Sequence, residues 1–337
     1  MKKINLYIYA SLVSVLLLSC GSNKSSKGNS VASVTTNTTI AVPDFNADSA
    51  YHYVAQQVEF GPRVPNTSEH DKCADFLVEK LKGFVAKVYR QDFDAIAFDG
   101  TILKSSNIIG AYKPESNKRI ALFAHWDTRP WADNDKEASN RKKPVLGAND
   151  GASGVGVLLE IARNIQLVEP TLGIDIILFD SEDYGAHQDY TGRQPLDENN
   201  WCLGSQYWSR VPHVPNYRAR FGILLDMVGA KEATFYYEGY SKHYAKNILE
   251  KVWNQGIQLG YGNYFIKRDG GAIIDDHLYV NAIANIRTID IIPFYPNNRD
   301  SSFGSRWHTV NDDMSGIDRT TLKAVGQTVM TTIYNEQ

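Results

Sequence analysis

The chain has 337 residues, a formal net charge of −3, 43% hydrophobic residues and 22% charged residues. This composition is ordinary for a globular protein, and the length suits one large domain or two small ones. The small net charge excludes a general electrostatic attraction to nucleic acid or to anionic lipid.

The first residues have the pattern of an export signal. Lys2 and Lys3 precede an apolar run over Ile4–Leu18, which is shorter than the roughly 20 residues that a membrane span needs. We therefore predict a signal peptide over residues 1–19. Leu17-Leu18-Ser19-Cys20 resembles a bacterial lipobox, so Cys20 is expected to be lipidated; a plain signal peptide with an incidental cysteine is the alternative.

A polar segment follows the predicted lipidation site. Residues 20–42 are rich in Ser, Asn, Thr and Gly and are expected to form a flexible tether. We predict a lipid-anchored protein of the bacterial cell envelope that faces the periplasm and contacts the membrane only through its lipid. Ser22 stands where some bacteria use an aspartate for inner-membrane retention, which favours the outer membrane.

Residues 43–337 are predicted to form a single folded domain. Apolar spacing predicts two helices, Ala47–Phe60 and Glu69–Leu81, before three strands at Val85–Asp92, Lys104–Tyr112 and Ile120–Ala124. A long polar loop over residues 129–146 is predicted to lie on the surface. The next helix opens at Asn149–Gly154 and is expected to bury Val155, Leu158, Leu159, Ala162 and Ile165.

The second half continues the alternation of strands and helices. A strand over Gly173–Phe179 leads to a second polar loop over residues 184–200. Further elements are predicted in this order: helix Leu203–Trp208, strands Phe221–Leu225 and Thr234–Tyr237, helix His243–Trp253 with Tyr244 buried, strand Asn285–Ile292, and helix Ile317–Tyr334. We predict an α/β fold with a mostly parallel, mixed central sheet flanked by helices on both faces. Its first two strands are expected to form an antiparallel edge.

Acids and histidines recur just after the apolar runs. Ligand sites of open α/β sheets lie outside the carboxyl ends of the strands, so these residues are expected to converge. Three of the segments have a simpler alternative: Asp150 as a helix N-cap, Glu182-Asp183 as a solvated loop, and His308 as a structural histidine. The five segments are His125-Trp126-Asp127, Asn149-Asp150-Gly151, Ser181-Glu182-Asp183, Leu225-Asp226-Met227 and Trp307-His308-Thr309.

The order of these segments resembles the M28-type zinc aminopeptidases over about residues 45–335. Within that superfamily the chain is most similar to the glutaminyl cyclases (glutaminyl-peptide cyclotransferases). The segments that carry this second resemblance are Gly204-Ser205, Leu224–Ala230, Asp275-Asp276-His277 and Phe303–Thr309, where a Phe and a Trp precede the histidine.

The resemblance implies that residues 43–337 form a single zinc-dependent catalytic domain with one zinc ion per chain. Its ligands would be Asp150, Asp183 and His308, with the fourth position open for water or substrate. Vertebrate cyclases carry Glu in place of Asp183, so this ligand's arm is one methylene shorter here. The resemblance further implies that Glu182 is the general acid/base and that Asp226 and Asp275 form a carboxylate network with it. Trp307, Phe303 and Trp201 would form the walls of the pocket. His125 and Asp127 would support the site or bind a second metal.

The implied reaction converts the N-terminal Gln of peptides or proteins to pyroglutamate and releases ammonia. We expect a monomer that binds peptide substrates and no nucleic acid. Two alternatives remain: an M28-type aminopeptidase with a second zinc on His125 and Asp226, bridged by Asp150, and a non-catalytic envelope binding protein. Trp307 favours the cyclase, and Glu182 favours an enzyme. The sequence leaves open whether Cys73 and Cys202 form a disulfide.

Overall fold

The computed structural model describes residues 41–192 and 198–336. Residues Ile40–Gln337 form one compact unit. The predicted signal peptide, the lipidation site Cys20 and nearly all of the predicted tether lie outside the described residues. Among the helices of the described part, none combines the length and the apolar character that crossing a membrane requires.

The described residues contain eight strands. They are β1 (Lys87–Ile96), β2 (Ile102–Tyr112), β3 (Arg119–His125), β4 (Gly173–Phe179), β5 (Gly222–Leu225), β6 (Phe235–Tyr237), β7 (Phe265–Asp269) and β8 (Thr288–Ile291). Six of them form the central sheet in the order β1-β2-β4-β3-β5-β8, and β6 and β7 pair separately.

The central sheet is mixed, as predicted. The strand β3 is parallel to both β4 and β5, and β5 is parallel to β8. The strands β1 and β2 form an antiparallel hairpin that joins β4, which confirms the predicted antiparallel edge. Because His125 pairs with Phe179 and Leu225 with Ile291, the four parallel strands end along one edge.

Helices cover both faces of this sheet. They are α1 (Ala47–Val58), α2 (Ser68–Lys82), α3 (Ala152–Leu167), α4 (Leu203–Arg210), α5 (Gly239–Gln258), α6 (Asp276–Ala282) and α7 (Arg319–Asn335). Side chains alternate along β3: Leu122 joins the core that contains α1, α3 and α7, while Phe123 packs with Trp208 of α4 and Val280 of α6. This alternation is the two-residue period of a strand buried on both faces.

Several sequence predictions need correction. The strand β7 and the helix α6 were not expected, because each is too short to show a clear apolar period. Helix α5 is longer than the predicted His243–Trp253, and Tyr244 is 37% exposed instead of buried. The loop over residues 129–146 is not a simple surface loop, since Arg129 and Asp133 are buried within it.

A glycine brings two functional elements together at the carboxyl edge. Helix α3 begins beside the end of β5, and a Cβ atom added at Gly154 would lie 2.2 Å from the backbone oxygen of Leu225. Any side chain there would push the helix away from the strand. Gly154 therefore allows the segment that carries Asp150 to lie against the segment that carries Asp226.

Candidate active site

A cavity of about 540 Å³ opens at the carboxyl edge of the parallel strands. It brings together most of the residues that the sequence singled out. Those that line it are Asp150, Glu182, Asp183, Trp201, Asp226, Asp275, Phe303, Trp307 and His308. His125 and Asp127 do not line this cavity; they are buried next to the acids that do.

The three predicted zinc ligands meet in one buried cluster. His308 Nε2 lies 3.2 Å from Asp183 Oδ1 and 3.6 Å from Asp150 Oδ2. The other oxygen of Asp183 is buried and has no hydrogen-bond partner among the described residues. Two carboxylates and an imidazole that face one point are a donor set suited to a divalent cation such as zinc, so these residues fit the implied metal.

The structure contradicts the simpler alternatives for Asp150 and Asp183. The N-cap of α3 is Gly151, and no side chain caps the helix, so Asp150 does not serve as its cap. Asp183 is only 2% exposed and does not belong to a solvated loop. His308 has a left-handed backbone with a φ of 54°, a conformation that costs free energy in a non-glycine residue and is concentrated at functional sites.

A second cluster shares Asp150. His125 Nε2 lies 3.1 Å from Asp150 Oδ1 and 3.2 Å from Asp226 Oδ1. Burial disfavours a charge on His125, but the carboxylates of Asp127, Asp150 and Asp226 raise its pKa well above the usual value. The residues that the aminopeptidase alternative requires are thus also adjacent.

Asp127 holds the segment that carries the predicted acid/base. Its two oxygens accept hydrogen bonds from the backbone N–H groups of Glu182, at 3.0 Å, and Asp183, at 3.2 Å. The preceding residue, Ser181, has a left-handed backbone with a φ of 54°, which turns the chain sharply after β4. Asp127 therefore fixes the directions of both acidic side chains through their backbone.

Glu182 lies among other acids and one thiol. Its Oε1 accepts a hydrogen bond from Cys202 Sγ at 3.2 Å, and a carboxylate oxygen of Asp275 lies within 4.8 Å. Burial raises the pKa of Glu182 well above its usual range; His125 opposes this shift, while the negative charges of Asp183 and Asp275 add to it. A carboxyl group whose proton affinity is raised in this way is suited to both accept and return a proton.

The other two acids of the predicted network, Asp226 and Asp275, lie where a strand ends and where a helix begins. Asp226 follows β5, and burial raises its pKa to about 7. Asp275 is the N-cap of α6, where its side chain accepts a hydrogen bond from the backbone N–H of Asp276. Asp275 lies next to Glu182, and the negative charge of Asp275 also raises the pKa of Asp226.

Aromatic rings form the walls beside this cluster. Trp307 stacks on His308 with ring centroids 3.8 Å apart, and Phe303 packs on Trp307 at 4.9 Å. Trp201, a candidate from the loop after the acid pair, is parallel to His308 at 6.5 Å. The three aromatic residues expected from the sequence thus lie in the same cavity.

Sequence reasoning missed the residues that hold the ligands in place. Asp133 Oδ1 lies 3.5 Å from His308 Nδ1, and Arg129 donates to both oxygens of Asp133 at 2.9 and 2.7 Å. Asp312 accepts hydrogen bonds from the backbone N–H groups of Asn149, at 2.8 Å, and Asp150, at 3.0 Å. These acids and the arginine lie in irregular loops, where no spacing distinguishes them.

The two cysteines are free and buried in this structure. Cys202 contacts Glu182, whereas Cys73 lies on the buried face of α2, in the hydrophobic core. The question that the sequence left open is thereby answered: the two thiols are not joined by a disulfide.

The chain is similar over most of its length to proteins of one family. The model of peptidase family M28 matches residues 107–333. A solved Bacteroides thetaiotaomicron glutaminyl cyclase, bound to N-acetylhistamine, is 60% identical, covers 88% of this chain and 100% of its own, and superposes with a TM-score of 0.85.

Two further relatives carry different names. A Bacteroides thetaiotaomicron protein described as a leucine aminopeptidase precursor is 59% identical, with the same coverage of 88% and 100% and a TM-score of 0.85. A glutaminyl-peptide cyclotransferase of Drosophila melanogaster is 24% identical over 285 residues, which are 77% of this chain and 73% of that protein. From the extent of the family match and the identity to a solved bacterial enzyme, we conclude that this chain belongs to peptidase family M28 and, within it, to the glutaminyl cyclases.

Proposed function

We propose that this protein is a zinc-dependent glutaminyl-peptide cyclotransferase, which closes the N-terminal Gln of peptides or proteins to pyroglutamate and releases ammonia. The observation that carries the proposal is the stacking of Trp307 on His308, in the same cavity as Glu182. An aromatic wall beside a metal-ligand cluster suits a short, planar amide side chain. A ring in this position also restricts the access of water to the reacting atoms.

The residues of the metal cluster would supply Lewis acidity. A zinc ion held by Asp150, Asp183 and His308 would polarise the side-chain amide carbonyl of the substrate. The pairing of Asp133 with the far nitrogen of His308 supports this role, because a ligand histidine needs a partner that fixes its ring.

Glu182 would move the proton. The α-amine nitrogen of the substrate attacks its own side-chain amide carbon, and Glu182 takes the proton that the new lactam nitrogen loses. Glu182 then returns this proton to the amide nitrogen, the carbon–nitrogen bond breaks, and ammonia leaves. The nucleophile and the amide belong to the same residue, so the pocket mainly has to hold one conformer.

Asp226 and Asp275 would assist Glu182 by their charge. A negative neighbour stabilises the protonated form of a carboxyl group. Glu182 must hold a proton between the two halves of the reaction, so the buried acids around it favour this intermediate stage.

The decisive experiment offers the purified protein two peptides that differ only in their first residue, Gln or Leu. We expect ammonia and the mass loss of one ammonia from the Gln peptide. The Leu peptide should stay intact, and the protein should contain one zinc per chain. An unchanged Gln peptide would refute the proposal.

The second candidate is an aminopeptidase, favoured by the cluster of His125, Asp150 and Asp226 next to the first one. Release of free leucine from the Leu peptide, together with two zinc ions per chain, would support it instead.

We further propose that the chain is a monomer anchored to the bacterial envelope by a lipid on Cys20, on the periplasmic side and with the outer membrane favoured. The support is the apolar run before Cys20 and the polar segment after it. A Cys20→Ala variant should leave the membrane fraction, and light scattering on that soluble variant should give the mass of one chain. Membrane retention of the variant would contradict the lipid anchor.

A further inference from the structure

A glycine lies against one aromatic wall of the cavity. Trp201 lines the cavity and is half-buried, and its indole is parallel to the ring of His308. A Cβ atom added at Gly185 would lie 2.0 Å from Cε2 and 2.2 Å from Cδ2 of this indole. These two carbons form the bond that the two rings share, so the indole presents its face to the glycine. The space that a side chain would need at residue 185 is therefore filled by Trp201.

The same indole also contacts a buried cation. The guanidinium carbon of Arg129 lies 4.8 Å from the centroid of the Trp201 ring, a distance at which the ring face attracts a cation. The guanidinium also donates hydrogen bonds to the backbone oxygens of Asp183 at 3.1 Å, Gly185 at 3.4 Å and Ala186 at 3.2 Å. One side chain thus contacts the ring and holds the backbone on which the ring lies.

The backbone of Trp201 is held at a different place. Gln206 Nε2 in α4 donates a hydrogen bond to the backbone oxygen of Trp201 at 2.8 Å. The next residue, Cys202, is the N-cap of α4, and its backbone N–H donates to the backbone oxygen of Glu182 at 3.0 Å. The segment that carries Trp201 is therefore bonded both to α4 and to the segment after β4. Its backbone is fixed, and the indole is the part that can swing.

A side chain at residue 185 would leave the indole one direction in which to move. The backbone around Gly185 is held by Arg129, and the nearby N–H of Asp183 donates to Asp127 at 3.2 Å. The indole of Trp201, by contrast, borders the open space of the cavity. A methyl group at residue 185 would therefore push the ring into the space of the substrate rather than displace the backbone.

We propose that Gly185 is a positioning residue that seats Trp201 in the cavity wall and so keeps the substrate space open. This role rests on the proposed cyclase function, in which Trp201 is a wall of the pocket. It deepens that function by naming a residue that sets the width of the pocket. Gly185 itself does not line the cavity, so it acts only through the indole.

A double-mutant cycle tests this role with wild type, Gly185→Ala, Trp201→Ala and the double variant. We expect Gly185→Ala to raise KM for a Gln-leading peptide about tenfold, the fold-change that the loss of one aromatic contact implies. The kcat and the zinc content should change little, because a wall that contacts the bound substrate acts mainly on binding. In the Trp201→Ala background the glycine substitution should leave KM unchanged, since the methyl group then meets no indole.

Thermal unfolding separates this role from a general loss of stability. The fall in Tm that Gly185→Ala causes should disappear in the Trp201→Ala background, because the clash is gone. Gly256→Ala is the matched control: its Cβ would lie 2.4 Å from the ring of Phe265, and neither residue lines the cavity. The control should lower the Tm and leave KM as in wild type.

Three results would overturn the proposal. The first is an unchanged KM in folded Gly185→Ala. The second is an equal rise in KM in both backgrounds, because Gly185 would then act independently of Trp201. The third is loss of zinc from Gly185→Ala, since the backbone near Asp183 would then have moved instead of the ring.

The double variant also decides the case in which Gly185→Ala alone does not fold. A double variant that folds and has the KM of Trp201→Ala supports the seat, and one that still fails to fold refutes it. Wild-type protein that does not cyclise a Gln peptide refutes the proposed function. Active wild type with a Gly185→Ala variant that behaves like Gly256→Ala refutes only the role of Gly185.

Discussion

Asp133 offers the sharpest test of how the site is held together. We predict that Asp133→Asn weakens both the fold and the metal cluster. The native carboxylate accepts two hydrogen bonds from Arg129, at 2.9 and 2.7 Å, and faces His308 Nδ1 at 3.5 Å. An asparagine carries no charge, and only one of its two terminal atoms can accept a hydrogen bond. Its NH₂ group therefore has to face an N–H donor, either of Arg129 or of His308.

The expected loss in the free energy of unfolding follows from the burial of the Arg129–Asp133 pair. Removing one partner of a buried ion pair costs about 3–5 kcal/mol. Arg129 keeps the backbone oxygen of Asp183 at 3.1 Å and its carboxylate at 3.4 Å, so we expect the lower end, about 3 kcal/mol. With an unfolding entropy of about 2.1 cal/mol/K per residue, this lowers the Tm of the folded unit by about 5 °C. Without the Asp133 carboxylate, the Arg129 guanidinium is attracted more strongly to Asp183, which is a predicted zinc ligand. The affinity of the site for zinc should therefore fall roughly 10- to 100-fold.

The assay combines thermal unfolding with competition for zinc against a chromophoric chelator. Asp94→Asn serves as the control, because Asp94 pairs with Lys104 on the surface with both side chains more than half exposed. Such a pair contributes at most about 1 kcal/mol. If Asp133→Asn bound zinc as tightly as wild type and melted at the same temperature, the support of His308 by Asp133 would be refuted.

Three further predictions concern the acid/base, the acid stability and the helix contact. Glu182→Gln should lower turnover by about 10² to 10⁴ with zinc still bound, and loss of zinc would instead place Glu182 among the ligands. Burial lowers the pKa of His213 to about 4 in the folded protein, whereas the unfolded chain keeps the usual value of about 6.5. As the pH falls from about 6.5 to 4, the unfolded chain binds a proton that the folded protein does not bind, so the folded protein loses stability over this range. His213→Gln should therefore remove about 2–3 kcal/mol of the acid destabilisation between these pH values in urea titrations, and an unchanged slope would contradict the burial of a neutral ring. Gly154→Ala should lower the Tm and the zinc content together, because the new methyl group meets the backbone oxygen of Leu225 at 2.2 Å; a Tm equal to that of wild type would show that α3 can move away without cost.

Much of the fold could be predicted because its signals are local. The strands β3, β4 and β5 follow short apolar runs, and each run is buried on both faces of the sheet. The acids after these runs had to meet because parallel strands end at the same edge. Asp183 and Asp226 were therefore accessible from their positions after strands, whereas the roles of Asp150 and His308 as ligands were implied by the resemblance to the glutaminyl cyclases.

The supporting residues were not accessible in this way. Arg129 and Asp133 lie in a polar loop whose composition suggested the surface, yet the loop folds inward and buries both. The sequence predicted the start of α5 at His243, so Glu238 was not singled out, and only the structure shows that it caps α5 and lies 2.9 Å from His277.

The sequence by itself determined most of the strands and helices and the edge at which the site lies, because apolar periodicity and residues at strand ends depend only on near neighbours in the chain. The set of predicted zinc ligands was implied by the resemblance to the glutaminyl cyclases. The tertiary structure decided which acid faces which imidazole, and that Trp307 and Trp201 stack against His308. Those contacts join loops far apart in sequence, and their geometry is set by the packing of the whole core rather than by any local pattern.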